Sequence, residues 1–207
     1  MIPGMDLIDF ISWASLVGVA LVVFAESGLL IGFFLPGDSL LLTTGLLVSR
    51  GLVDYSIHVV VIVLFIAAVL GDNTGYWFGK KMGRSLFKKK DTPIFHKENL
   101  IKAEKFYQRH GNKTIVIARF VPFARTFAPI LAGISHMHYR TFFIYNIIGA
   151  LLWAAGLTYL GYFAGSWLEK QGIDIDKYLI LIIFGVILLS LLPAIYHSFQ
   201  ARRSKTS

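Results

Sequence analysis

The chain has 207 residues, of which 56% are hydrophobic, 15% are charged and none is cysteine. Soluble domains carry about 25% charge, so a water-soluble globular protein is excluded, and so are a disulfide scaffold, a thiolate metal site and a cysteine nucleophile. The charge is also localised: Lys80 to Lys113 holds 11 Lys/Arg against 3 Asp/Glu, and its net +8 equals that of the whole protein.

Taken in chain order, the first apolar region runs from Phe10 to Ser49 and is interrupted by Glu26 and by Pro36-Gly37-Asp38. The run beyond that break, Ser39 to Ser49, is too short to cross a bilayer, which takes about 20 apolar residues. A re-entrant helical hairpin over about 14–49 is expected; a full crossing over 14–35 is the alternative. Tyr55 to Gly79 is long enough to span and contains one charge, Asp72. The basic loop 80–113 follows. Within it Leu100, Ala103 and Phe106 recur at three-residue spacing among lysines, which predicts an interfacial amphipathic helix over Lys97–His110. The run Lys88-Lys89-Lys90 is explained by the positive-inside rule, so no nucleic-acid partner is expected.

Residues 114–139 are apolar but carry Arg119 and Arg125 on either side of Pro122, with Pro129 and Gly133 behind them. Proline removes an amide donor and clashes with the preceding turn. A charge at the centre of a spanning helix costs about 2.5 to 3.5 kcal/mol on insertion scales. This segment is therefore expected to be a second re-entrant hairpin, shielded by other helices, since broken backbone at membrane depth must be buried in protein or line a water cavity. Two further uncharged spans are expected at 141–168 and 178–201. Lys/Arg placement puts the loop 80–113 and the tail with Arg202, Arg203 and Lys205 in the cytoplasm. A signal peptide is not expected, because Met1 to Ser12 has no basic residue.

Sliding the chain by 86 residues places Phe34 on Phe120, Pro36 on Pro122, Gly75 on Gly161, Tyr76 on Tyr162 and Gly79 on Gly165. The coincidences mark Phe-x-Pro at each break and Gly-Tyr-x-x-Gly at the end of each following span. A hairpin plus one crossing inverts its own copy, and inverted repeats with sites at broken helices are a transporter plan. The expected architecture is an all-α polytopic membrane protein, with two inverted repeats, each a re-entrant hairpin and a transmembrane helix, and one further C-terminal span.

Five ionisable residues fall inside apolar segments: Glu26, Asp38, Asp72, Arg119 and Arg125. Unpaired at the midplane they would cost on the order of 12 to 18 kcal/mol together, so they must be paired, hydrated or protonated. The first hairpin supplies acids and the second arginines, and charge compensation is expected where the two meet. Arginine offers a planar fork that grips phosphate oxygens bidentately, and a carboxylate beside it can exchange a proton as an anion arrives and leaves. The plainer reading is a buried salt-bridge network that only holds the hairpins together. Asp72, one turn from the cytoplasmic end of its span, is expected to cap or to snorkel, and the glycines of Gly-Tyr-x-x-Gly to permit close helix contact. His136 and His138 read as headgroup-level polar residues. Trp13, Trp77, Trp153 and Trp167 read as interface anchors or packing.

At these residues the chain resembles the DedA family of bacterial inner-membrane proteins, whose shared region is called the VTT or SNARE-associated domain. The resemblance rests on four motifs: Phe24-Ala25-Glu26; Phe34-Leu35-Pro36-Gly37-Asp38-Ser39-Leu40-Leu41; Gly71-Asp72-Asn73-Thr74-Gly75-Tyr76-Trp77-Phe78-Gly79; and Ala118-Arg119-Phe120-Val121-Pro122-Phe123-Ala124-Arg125, running on to Ala132-Gly133. It implies a lipid transporter or scramblase of the inner membrane, with undecaprenyl phosphate as a substrate and a link to proton-motive force. It also implies that Glu26, Asp38, Arg119 and Arg125 form the transport site, with Pro36, Gly37, Asp72, Gly75, Tyr76 and Pro122 in support.

The expected activity is a proton-coupled flippase for an anionic lipid phosphate, with no cofactor, no metal site and no catalytic residue; a homo-oligomer is compatible with it. One alternative is a proton-coupled cation or small-molecule exporter, in which the arginines are counter-ions. Another is a membrane lipid phosphatase, which needs a nucleophile with a base in reach or a metal held by His and carboxylates. The chain has no His-acid spacing of that kind.

Overall fold

The computed structural model of the chain describes residues 7–29, 35–82, 111–135 and 137–171, and among them there is no strand. The amphipathic helix expected at 97–110 and the span expected at 178–201 lie outside the described residues. Helix α1 is Leu7–Gly28. It starts before the expected position near 14, because Leu7, Ile8, Phe10 and Ile11 continue its apolar character without a proline or glycine. Its 22 residues make it about 33 Å long.

Helix α2, Gly37–Ser49, starts directly after Pro36, where the chain has no amide to give to a preceding turn. It ends on Gly51 in the left-handed region at φ +67°. There Gly51 N donates to the Val48 carbonyl and Leu52 N to the Leu47 carbonyl, each at 3.1 Å, the paired bonds of a Schellman stop. Helix α3, Ile57–Met82, opens with the Ser56 hydroxyl accepting from Val59 N at 3.4 Å, an N-cap contact.

The second broken region begins with a 3₁₀ turn, Gly111–Lys113, followed by α4, Thr114–Ala118. The chain then breaks at 119–121 and resumes as α5, Pro122–Ile134, with Pro122 in its first turn and Val121 extended, as the residue before a proline prefers. Helix α6 is Tyr139–Ala150, a π-helical turn covers Leu151–Ala155, and α7 is Gly156–Lys170. These three form one helix long and apolar enough to cross a membrane, as α3 also is. Along α3 the exposed large side chains Val59, Ile62, Ile66, Leu70 and Trp77 are apolar and fall at helical spacing, a stripe suited to hydrocarbon.

The chain divides into two compact units. The first contains α2, α7 and the starts of α1 and α3. Here α2 packs on α7 through glycine. A methyl at Gly45 would strike the Thr158 and Tyr162 backbone, one at Gly161 the Leu42 carbonyl, and one at Gly165 the Ser49 hydroxyl. Among the described residues of this unit, the buried polar side chains are the hydroxyls Ser39, Thr44 and Thr158. Near its surface, Arg50 Nη1 lies 3.6 Å from Glu169, and His58 Nδ1 lies 2.7 Å from the Tyr159 hydroxyl.

The second unit contains the rest of α1 and α3 with α4, α5, α6 and the π turn. Again glycine sets the approach. Gly28 and Gly71 let α1 and α3 touch backbone to backbone; Gly79 accommodates Ile130 of α5, and Gly133 accommodates Tyr76 and Lys80 of α3. The core gathers Tyr76, Ile115, Ala132 and Phe142, with Met137 and Tyr145 against it. Tyr76 stacks on Phe142 with ring centroids 4.5 Å apart, and its hydroxyl donates to the Met137 carbonyl at 2.5 Å. That bond fastens the connection between α5 and α6 to the α3 span.

Candidate functional site

The second unit buries two arginines and two carboxylates. Glu26 of α1 is 0% exposed, Asp72 of α3 2%, Arg119 4% and Arg125 8%. Both arginines flank the break between α4 and α5, where Pro122 prevents one helix from running through. Arg119 is the residue that closes α4 and Arg125 sits in the opening turns of α5. Pro129 has no N–H to give to the carbonyl four residues before it, that of Arg125.

Each guanidinium meets a carboxylate. Arg125 Nη2 donates to Glu26 Oε1. Arg119 Nη2 donates to Asp72 Oδ2 at 2.5 Å and to Asn146 Oδ1 of α6 at 2.6 Å. Asn146 is 0% exposed and is itself oriented, since its Nδ2 donates to the Val69 carbonyl at 3.2 Å. That carbonyl also accepts from Asn73 Nδ2 at 2.7 Å. A Cβ at Gly149 would stand 2.8 Å from Arg119 Cδ and 3.0 Å from its Nε, so the stem of Arg119 passes where only glycine leaves room. Trp153, in the π turn, places its ring centroid 5.7 Å from the Arg119 guanidinium carbon and 5.5 Å from that of Arg125.

Four of the five intramembrane ionisable residues therefore meet in acid–base pairs. The acid that meets Arg119 is Asp72 of α3, whereas the sequence set the acids of the first broken region against both arginines. Asp72 does not cap or snorkel: it faces inward and is buried, because its span packs on the arginine-bearing break. Asp38 stands in the first turn of α2, half-buried, in the other unit. Pro36 and Gly37 start α2, Gly75 lies against Pro129 with 3.3 Å to an added Cβ, and Tyr76 anchors the α5–α6 connection. Of the two roles expected for Trp153, interface anchor or packing, its 2% exposure fits packing.

Asn146, Gly149 and Trp153 were not foreseen as site residues. Their spacing of three and then four residues puts them on one helical face, and Asn146 is the lone carboxamide in an otherwise apolar span; that was the available signal. Among the described residues no three His, Asp or Glu side chains cluster as a metal set would. The arrangement offers instead two hydrogen-bonding cations in low dielectric, each neutralised by an acid that an anion could replace.

Among the described residues the structure is all-helical, with two helices long and apolar enough to cross a membrane. The VTT domain model matches residues 35–163, and the chain belongs to that family, the DedA family of membrane proteins. It is 45% identical over 184 residues to Protein DedA of Escherichia coli K12, covering 89% of this chain and 82% of the relative. An uncharacterized membrane protein of Mycobacterium leprae is 39% identical over 198 residues, 95% of this chain and 85% of the relative. Inner membrane protein YqjA of Escherichia coli K12 is 34% identical over 145 residues, 70% of this chain and 65% of the relative. No solved structure matches.

Proposed function

We propose that the chain carries an anionic lipid phosphate across the bacterial inner membrane, with the Arg119 and Arg125 pairs as its headgroup site. One observation carries the reading: two guanidiniums, both at least nine-tenths buried, flank a single helix break and are held by carboxylates. A phosphate arriving at this point offers oxygens that match the guanidinium fork, as the carboxylates do. The displaced acid takes up a proton, since a carboxylate left buried without its partner is costly. Release reverses the exchange. The acyl or prenyl chain stays in lipid throughout, so no covalent bond changes and the protein acts as a carrier, not an enzyme. Undecaprenyl phosphate is the substrate that the family resemblance suggests.

The same reading takes 14–49 and 114–139 as re-entrant arms of two inverted repeats, with the loop 80–113 and the C-terminus in the cytoplasm. The glycine packing supports it. Gly75 and Gly79 of α3 meet α5, while their repeat partners Gly161 and Gly165 of α7 meet α2. Each span thus packs on the hairpin arm of the other copy.

The test is flipping of a fluorescent short-chain polyprenyl phosphate in proteoliposomes. The wild type is expected to accelerate it, and Arg119→Ala and Arg125→Ala to abolish the acceleration. Wild-type rates in both variants would overturn the mechanism, and release of free phosphate from the lipid would make the protein an enzyme. A second reading, a proton-coupled cation exporter, is favoured by the neutralisation of each arginine by its own acid. Cation flux without any lipid phosphate would select it.

A further inference from the structure

We propose that Trp153 is a positioning residue that holds both guanidiniums on one aromatic shelf. The ring is 2% exposed, and the guanidinium carbons of Arg119 and Arg125 lie 5.7 and 5.5 Å from its centroid. Both fall within about 6 Å, the range in which a cation is attracted to an indole face, and the attraction is strongest where water is excluded. Two arginines from opposite sides of a break would repel each other in a low-dielectric interior. A ring polarised by both offsets that repulsion without spending a donor, so the N–H groups stay directed at acids or at an incoming anion.

The local backbone explains why this tryptophan, among four, takes the position. Trp153 lies in the π turn Leu151–Ala155, a deviation that often marks functional positions inside α-helices. The turn buries three consecutive residues, Trp153, Ala154 and Ala155. Asn146 and Gly149, on the same face, serve Arg119 alone. Trp153 serves both arginines and so couples them: moving one guanidinium changes the field felt by the other across the ring.

The shelf itself is tested without a ligand, and its consequence for binding rests on the anion-carrier reading. In detergent micelles, hydrogen exchange of the Arg119 and Arg125 guanidinium protons is followed by NMR in wild type, Trp153→Phe and Trp153→Leu. Trp153→Leu is expected to speed exchange at both arginines by about tenfold and Trp153→Phe by about threefold or less, reflecting the graded attraction of aromatic faces. Wild-type exchange in Trp153→Leu, or acceleration at one arginine only, overturns the shelf. Should Trp153→Leu fail to fold, Trp153→Phe and Trp153→Tyr decide: exchange in the order indole, phenol, phenyl supports the shelf, and equal exchange overturns it.

Dodecyl phosphate binding is then measured on the same samples. About tenfold weaker binding in Trp153→Leu, with the phenylalanine variant near wild type, extends the shelf to the ligand. Wild-type affinity in Trp153→Leu overturns that extension. If the wild type does not bind dodecyl phosphate while the exchange pattern holds, the shelf stands and the anion reading fails.

Discussion

The two units solve the same packing problem and then part company. In both, a span presents Gly-Tyr-x-x-Gly to a short helix that follows a proline break, and the backbones approach until a methyl would not fit. Among the described residues, the buried polar side chains of the first unit are hydroxyls, Ser39, Thr44 and Thr158; those of the second include Glu26, Asp72, Arg119, Arg125 and Asn146. Displaced by the repeat interval, Asp72 corresponds to Thr158. One copy of the scaffold holds a hydroxyl at that position and the other a carboxylate. Glycine contact therefore builds the frame in both units, and among the described residues fully buried charge is found in the second.

The largest expected effect breaks this contrast directly. Asp72→Ala leaves Arg119 buried without its acid and should cost about 3 to 5 kcal/mol, whereas Thr158→Ala removes a hydroxyl and should cost about 1 kcal/mol. Denaturant unfolding of the two variants in the same micelle measures the difference, and equal losses would show the halves to be energetically alike. Asn146→Ala comes next. It removes a hydrogen bond to a charged group, worth about 1.5 to 3 kcal/mol, and should lower flipping along with stability, because Arg119 loses its second acceptor.

The glycines sharpen the other side of the comparison. Gly79→Ala and Gly161→Ala each drive a methyl into a backbone carbonyl and should destabilise by about 1 to 3 kcal/mol each, as overpacking does. Their thermal shifts should agree, since the obstruction is the same in both units. The smallest effect is expected for Tyr159→Phe, which removes the exposed partner of His58 and should cost about 1 kcal/mol or less. Differential scanning fluorimetry is sensitive enough to rank it below the others.

Much of this was legible in the sequence, because the strongest signals are ones that hydrocarbon enforces. Uninterrupted apolar length located α3 and the helix formed by α6, the π turn and α7. Proline located both breaks, and intramembrane charge singled out the arginines and Glu26. The partner of Arg119 was not legible. Asp72 sits near the end of its span by count, and its direction depends on which helix packs against that face, which no local pattern records. Asn146, Gly149 and Trp153 were hidden for a different reason. An amide, a glycine and an indole are all ordinary in a spanning helix, and each becomes specific only once Arg119 lies beside it.

The carbonyl of Val69 accepts two side-chain amides, one from Asn73 at 2.7 Å and one from Asn146 at 3.2 Å. Each hydrogen bond lowers the stretching frequency of the group that accepts it. A single isotope label on that peptide would therefore turn the middle of α3 into an infrared gauge. Its band would move whenever Asn146 turned toward or away from Arg119, reporting that rearrangement in an intact bilayer without a dye, a mutation or a transport assay.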